Sequence, residues 1–283
     1  MFDTHAHLNF KDYEKDLDEV VRRTLAGKTG MINVGSQYST SQRAVKIANQ
    51  YEKKVYASIG LHPIHLGQEK FKEKVDENEI IEFQPRFEKF DKIKYLELGK
   101  NKKVVAVGEI GLDYFHNKEN KELQKEVFSE QIDLATELDL PIIIHCRDEN
   151  FDEKKTAHND LAKILREKKE EFGKKLRGVV HCFSGGMKEA ENYVALGFYL
   201  GFNGIVTFSK DYDEVLKKVD MANILLETDC PYLTPIPFRG RRNEPLFVRY
   251  VAEKIADLKG ISLGEVEKIT DENAKEVFGV GIE

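Results

Sequence analysis

Short apolar runs alternate with amphipathic stretches along the whole of this chain. Eight runs read as strands: Phe2–His7, Met31–Val34, Val55–Leu61, Val104–Gly108, Pro141–His145, Gly178–His181, Phe198–Gly201 and Ile224–Leu226. Between them, Leu17, Val20, Val21 and Leu25 recur at the spacing of one helix face. Ser39-x-x-Gln42 has the form of a capping box. It predicts a second helix with Ala44, Val45, Ala48 and Tyr51 facing inward. A third helix is expected from about residue 119 to 138, stopping before Pro141.

Strand–helix alternation implies a parallel sheet with helical crossovers. Eight such units favour an α/β fold closed as a (β/α)8 TIM barrel over an open, doubly wound sheet. The 283 residues suit it, since such barrels commonly take about 250. Two lysine- and glutamate-rich stretches, 66–102 and 148–176, are expected to hold ordinary helices plus insertions in the loops after strands 3 and 5. Their charge runs read as solvated helix faces. Without an internal repeat or a low-complexity linker, residues 1–283 are expected to form one domain.

Composition narrows the picture. Hydrophobic residues are 41% and charged residues 33%, enough for a sizeable core under a polar surface. A net charge of -6 weighs against nucleic-acid binding by bulk electrostatics. It leaves open a nucleic-acid substrate held through metal ions and a local basic patch. No apolar run approaches the roughly 18 residues of a membrane span, and the N-terminal run has no signal-peptide pattern. The odd count of cysteines, Cys146, Cys182 and Cys230, does not suggest a disulfide framework, so a reducing, cytoplasmic compartment is expected.

The candidate chemistry lies at strand ends. His5 and His7, one residue apart on an extended segment, look toward the same side and form a clamp for a divalent metal. Glu109, His145 and His181 each close an apolar run, and Asp229 follows another. In a barrel, those C-terminal strand ends are where the active site is built. Each alone is more often a structural residue; together they make a mixed imidazole–carboxylate set suited to Zn²⁺, Mn²⁺ or related ions. Six ligands exceed the needs of one open catalytic metal, and two cations sharing a bridging carboxylate is the economical arrangement. Each cysteine directly follows a proposed ligand. If the ligand points inward, its neighbour points to the helix layer, so these thiols are read as packing residues.

Those residues also carry a resemblance. His5-Ala6-His7, Gly60-Leu61-His62-Pro63, Gly108-Glu109-Ile110-Gly111-Leu112-Asp113-Tyr114, His145-Cys146-Arg147, His181-Cys182-Phe183-Ser184-Gly185 and Glu227-Thr228-Asp229 resemble, in order, the motifs of TatD-type metal-dependent deoxyribonucleases. The resemblance continues to Asn273-Ala274 and so covers nearly the whole chain. It implies a single metal-dependent hydrolase barrel with two divalent cations (Mg, Mn or Zn). His5, His7, Glu109 and Asp229 would hold one, and Glu109, His145 and His181 the other.

The expected activity is hydrolysis of DNA phosphodiester bonds, as an exonuclease. Asp229 would take the proton of the attacking water, with Glu227 assisting it or orienting a ligand. His62, Asp113 and Tyr114 would line the substrate pocket. Arg239 and Arg242, in a segment resembling the family's Arg-Gly-x-Arg-Asn-x-Pro, would grip phosphate with their planar donor forks. No membrane association and no obligate protein partner are expected. Two other readings stand beside this one. The same centre would serve another ester or amide, including an aminoacyl-tRNA or a small molecule, or the chain would be a metal-stabilised binding protein without turnover.

Overall fold

A computed structural model describes residues 1–149 and 156–281 of the chain. Its strands, in chain order, are β1 (Phe2–Ala6), β2 (Gly30–Val34), β3 (Val55–Ile59), β4 (Phe71–Lys74), β5 (Ile80–Phe83), β6 (Val104–Asp113), β7 (Ile142–Arg147), β8 (Gly178–Val180), β9 (Phe198–Phe202) and β10 (Ile224–Leu226). All but β4 and β5 form one sheet in sequence order, and each of its pairings is parallel. The sheet closes beyond β10, where Asp229 N–H donates to His5 O at 2.9 Å and His7 N–H to Cys230 O at 2.8 Å. The result is the expected eight-stranded barrel.

Helices cover the outside: α1 (Leu17–Ala26), α2 (Tyr38–Ala48), α3 (Lys92–Gly99), α4 (Lys121–Glu137), α5 (Thr156–Phe172), α6 (Met187–Ala195), α7 (Asp213–Lys218), α8 (Val248–Lys259) and α9 (Leu263–Phe278). The start of α2 differs from the expected capping box. Gln37 is its N-cap, and the Thr40 hydroxyl reaches back to accept from the Ser36 and Gln37 amides at 2.9 and 2.8 Å. Ser39 and Gln42 are therefore not the capping pair. Ala44, Val45 and Ala48 face inward as expected, while Tyr51 lies past the helix end and is half-buried.

Strand alternation sorts the core into two layers. One set of side chains faces the helices. The other, with Phe2, Ile32, Val105, Ile143, Val179 and Leu225, packs together with Ala274, Val277 and Phe278 of α9. Phe2, Ile143, Val179 and Leu225 precede His5, His145, His181 and Asp229 along the chain, so α9 covers the N-terminal end of the barrel. The C-terminal end is left for chemistry.

The stretch 66–102 contains an insertion that its charge content disguised. β4 and β5 pair as an antiparallel hairpin, Phe71 opposite Phe83 and Lys74 opposite Ile80. In the second long stretch, the described residues from 156 onward are the ordinary crossover helix α5, and 150–155 lie outside the described residues.

One backbone position depends on glycine. Gly111 has φ of 143°, and a Cβ there would lie 2.0 Å from His145 O on the neighbouring strand. Gly111→Ala is expected to destabilise the protein by about 3 kcal/mol or more, through positive-φ strain and the clash. Urea denaturation of the two proteins checks this, and an unchanged midpoint would refute it.

Candidate metal centre

Local irregularities in two strands aim the central side chains. In β1, the step from Asp3 to Ala6 opposes the shorter step from Met31 to Asn33 in β2. In β6, the step from Val107 to Ile110 opposes that from Ile142 to Ile144 in β7. Each inserts an extra residue, which turns a side chain away from regular alternation. His5 lies in the first bulge and Glu109 in the second. Asp229, just past β10, has φ of 55°, a left-handed conformation that aspartate tolerates better than most residues.

These segments converge on the Glu109 carboxylate. Its Oε2 lies 3.4 Å from His5 Nε2 and 3.8 Å from His7 Nε2. Asp229 Oδ1 completes that side, 3.4 Å from His7 Nε2 and 3.8 Å from His5 Nε2. Its Oε1 faces the opposite group, 2.9 Å from His145 Nδ1 and 3.1 Å from His181 Nε2. His62 Nε2 also approaches Oε1, at 3.2 Å. The six expected ligands are thus together, and two groups able to hold a cation are His5–His7–Asp229 and Glu109–His145–His181.

Neighbouring acceptors fix which imidazole nitrogen faces inward. His7 Nδ1 donates to Val34 O at 2.9 Å, leaving the Nε2 lone pair toward the cluster. His181 Nδ1 faces Glu227 Oε1 at 3.1 Å, and His145 Nε2 faces Asp113 Oδ2 at 3.1 Å. His62 Nδ1 accepts from Ile64 N–H at 3.0 Å, so in the neutral ring the proton is on Nε2, beside Glu109.

The charges are frustrated without a cation. Burial works against ionised Glu109, yet His62, His181 and His145 hold its carboxyl well below the usual range. Burial likewise opposes a proton on His145, but Asp113 and Glu109 raise its pKa to about 9. His5 goes the other way, lowered by burial and by His181. Asp229 is held down, against burial, chiefly by its hydrogen bond with His7. The surroundings of His145 and His181 thus favour positive charge, which divalent ions would supply. Two buried atoms beside this cluster, His5 Nδ1 and Glu227 Oε2, have no hydrogen-bond partner. The donor set therefore fits divalent metal.

Several expected pocket residues have other duties. Glu227 is fully buried, and its Oε1 accepts from Cys182 N–H at 2.7 Å as well as facing His181. It holds the ring of His181, an expected ligand, and is not in the open part of the site. Gly201 makes room for it, since a Cβ there would lie 2.4 Å from Glu227 Oε2. Asp113 is 1% exposed and stands behind His145, accepting from His116 and the backbone. Tyr114 is fully buried and points outward, donating to Asp160 Oδ2 of α5 at 2.7 Å. It does not line the pocket, because alternation turns it opposite to Asp113.

The two arginines are also engaged within the protein. Arg239 pairs with Asp76 at 2.5 Å and Glu79 at 2.9 Å, both on the β4–β5 turn, and lies over the Phe208 ring. Arg242 forks onto Asp16 at 2.5 and 2.9 Å and donates to Asp12 O. These carboxylates take the place expected for substrate phosphate, so both guanidinium groups tie loops together. His116, unnoticed in the sequence, joins Asp113 to the hairpin. Its signal was slight: an imidazole three residues after a strand-end acid.

An eight-stranded parallel barrel with histidines and carboxylates gathered at its C-terminal end defines a metal-dependent hydrolase. The chain belongs to the family of TatD related DNases, whose pattern matches residues 2–279. It is 44% identical over 283 residues to the metal-dependent hydrolase YabD of Bacillus subtilis, described as uncharacterized, covering 99% of each chain. It is 33% identical over 290 residues to the 3'-5' ssDNA/RNA exonuclease TatD of Shigella flexneri, again covering 99% of each. The crystal structure of YjjV, a TatD homologue from Escherichia coli K12, superposes with a TM-score of 0.80 at 29% identity, covering 99% of this chain and 98% of that one. Among the described residues, no helix is long and apolar enough to cross a membrane.

Proposed function

We propose that the protein removes nucleotides from the ends of single-stranded DNA by hydrolysing phosphodiester bonds, using two divalent cations that share Glu109. The observation that carries this reading is the division of the Glu109 carboxylate. Oε2 faces His5 and His7, with Asp229 beside them, and Oε1 faces His145 and His181. One carboxylate oxygen for each group is the geometry a bridging ligand needs. The nucleic-acid substrate is supported by the likeness to the TatD exonuclease of Shigella flexneri. Bound divalent ions would acidify water and neutralise charge on the phosphate.

The chain's own residues have distinct parts in this scheme. Asp229 is ionised, and its side chain is 17% exposed against 0% for His5, so it meets water entering from the mouth. Its carboxylate is placed to accept the proton of the attacking water. His62, kept neutral by burial and held by Ile64 N–H, offers an Nε2 proton beside Glu109 and orients a phosphate oxygen. Glu227 and Asp113 hold His181 and His145 in the ring orientations that place Nε2 and Nδ1 toward Glu109.

The test is a panel of end-labelled single- and double-stranded DNA, RNA and aminoacyl-tRNA. Each is incubated with metal-reconstituted protein, with EDTA-treated protein and with the Asp229→Asn variant. Shortening of single-stranded DNA by wild type with Mn²⁺ or Mg²⁺, lost in both controls, is expected. Release of amino acid from aminoacyl-tRNA with all nucleic acids left intact would overturn the nuclease reading. Binding without any turnover would overturn the enzymatic one.

A further inference from the structure

The inserted hairpin reaches the centre through a line of side chains. Glu73 on β4 is hydrogen-bonded to both guanidinium ends of Arg147, with Nη1 to Oε2 at 3.0 Å, and its Oε2 lies 3.2 Å from His116 Nε2. His116 Nδ1 lies 2.8 Å from Asp113 Oδ2, and the same oxygen lies 3.1 Å from His145 Nε2. His145 Nδ1 then faces Glu109 Oε1 at 2.9 Å. Phe71, also on β4, lies over the His116 ring with centroids 4.0 Å apart. A residue of the insertion is thus joined, through three side chains, to the carboxylate between the two ligand groups.

The proton inventory of this line is determined by its acceptors. Both nitrogens of His116 face carboxylates, which cannot donate when ionised, so both carry protons. Burial opposes that charge, but Asp113 and Glu73 raise the His116 pKa above the ordinary value. Glu73 is itself held at about 2, against burial, by His116 and Arg147. Asp113, with its Oδ1 taken by the Phe115 and His116 amides, presents Oδ2 to His145 Nε2–H. That leaves Nδ1 as the nitrogen turned toward Glu109. Glu73 and Asp113 balance Arg147 and His116, so the group behind His145 is neutral. Without the Glu73 charge it would become net positive and repel a cation on the far side of the imidazole.

We propose that Glu73 is a positioning residue for His145, acting through His116 and Asp113, so that docking of the β4–β5 hairpin sustains the cation position formed by Glu109, His145 and His181. This rests on the two-cation reading above. It gives the insertion a duty separate from its attachment at the turn, where Asp76 and Glu79 bind Arg239 and Glu79 accepts from Leu233 N–H at 3.0 Å.

Calorimetric titration with Mn²⁺ tests it on the intact protein. Glu73→Gln keeps the side-chain shape and is expected to leave one binding step unchanged while weakening the other about tenfold. The double variant Asp76→Asn/Glu79→Gln, which releases only the turn, is expected to titrate as wild type. Wild-type titration of Glu73→Gln would overturn the proposal, as would equal weakening in the turn variant. Nitrogen-15 spectra of the metal-free imidazoles give a readout independent of cation number. Protons on both His116 nitrogens support the relay, and a neutral His116 overturns it. If wild type binds a single Mn²⁺, the two-cation reading fails while these spectra still decide the relay.

Discussion

Replacing Glu109 by Gln is expected to lower kcat on single-stranded DNA by about a thousandfold, equivalent to about 4 kcal/mol of transition-state stabilisation. The substitution preserves shape and removes one negative charge. It matters at this position because both carboxylate oxygens are in use, Oε2 toward His5 and His7, Oε1 toward His145, His181 and His62. An amide has one good ligand oxygen and one NH₂, so one of the two groups loses its shared ligand oxygen whichever way the amide turns. Mn²⁺ stoichiometry measured on the same sample should fall with kcat. Retention of both cations and of wild-type kcat would refute the bridging assignment.

The second large effect is expected from His5→Ala/His7→Ala. These rings belong to the group containing Asp229, whereas the Glu109–His145–His181 group is complete without them. On the two-cation reading, the double variant should lose one equivalent of Mn²⁺ and retain the other, and activity should fall by about a thousandfold for want of one charge-stabilising ion. His7 also anchors to Val34 O, and His5 stacks on His181 with ring centroids 3.7 Å apart. Thermal unfolding monitored by circular dichroism therefore accompanies the titration. A folded variant that still binds two equivalents would show that the two groups have been divided wrongly.

Much of this was legible in the sequence because apolar strands and their polar ends are local signals. Every barrel strand was visible as a short apolar run, and the six proposed ligands were visible as the polar residues at or just past those runs. What escaped depends on partners remote in sequence. Arg239 and Arg242 carry phosphate-binding chemistry, but Asp76, Glu79 and Asp16 claim their donors, and nothing near the arginines announces those acids. The hairpin was hidden differently. Phe71-Lys72-Glu73-Lys74 alternates half-buried and exposed positions, a strand period inside what reads as a solvated charge run.

One misassignment follows from alternation applied unevenly. The rule that turned Cys146 toward the helix layer is borne out by its contact with His158 of α5, Sγ to Nδ1 at 3.4 Å. Carried on from Asp113, the same rule places Tyr114 outside the pocket. Past β10 the backbone turns left-handed at Asp229 and the two acids part company, which leaves Glu227 the second of its two expected roles, holding a ring in place. Glu227 goes behind His181 and Asp229 goes to His5 and His7.

The bonds that close the barrel have a consequence for how the protein comes into being. Asp229 N–H reaches His5 O, and His7 N–H reaches Cys230 O, so the first and last strands meet at the ligand segments themselves. A nascent chain still short of residue 229 has synthesised His5 and His7 but has no Asp229 to set beside them. Glu109, His145 and His181 are all present by then, while the group of His5, His7 and Asp229 is still incomplete. On the two-cation reading proposed above, hydrolytic competence is expected late in translation, once β10 has been made.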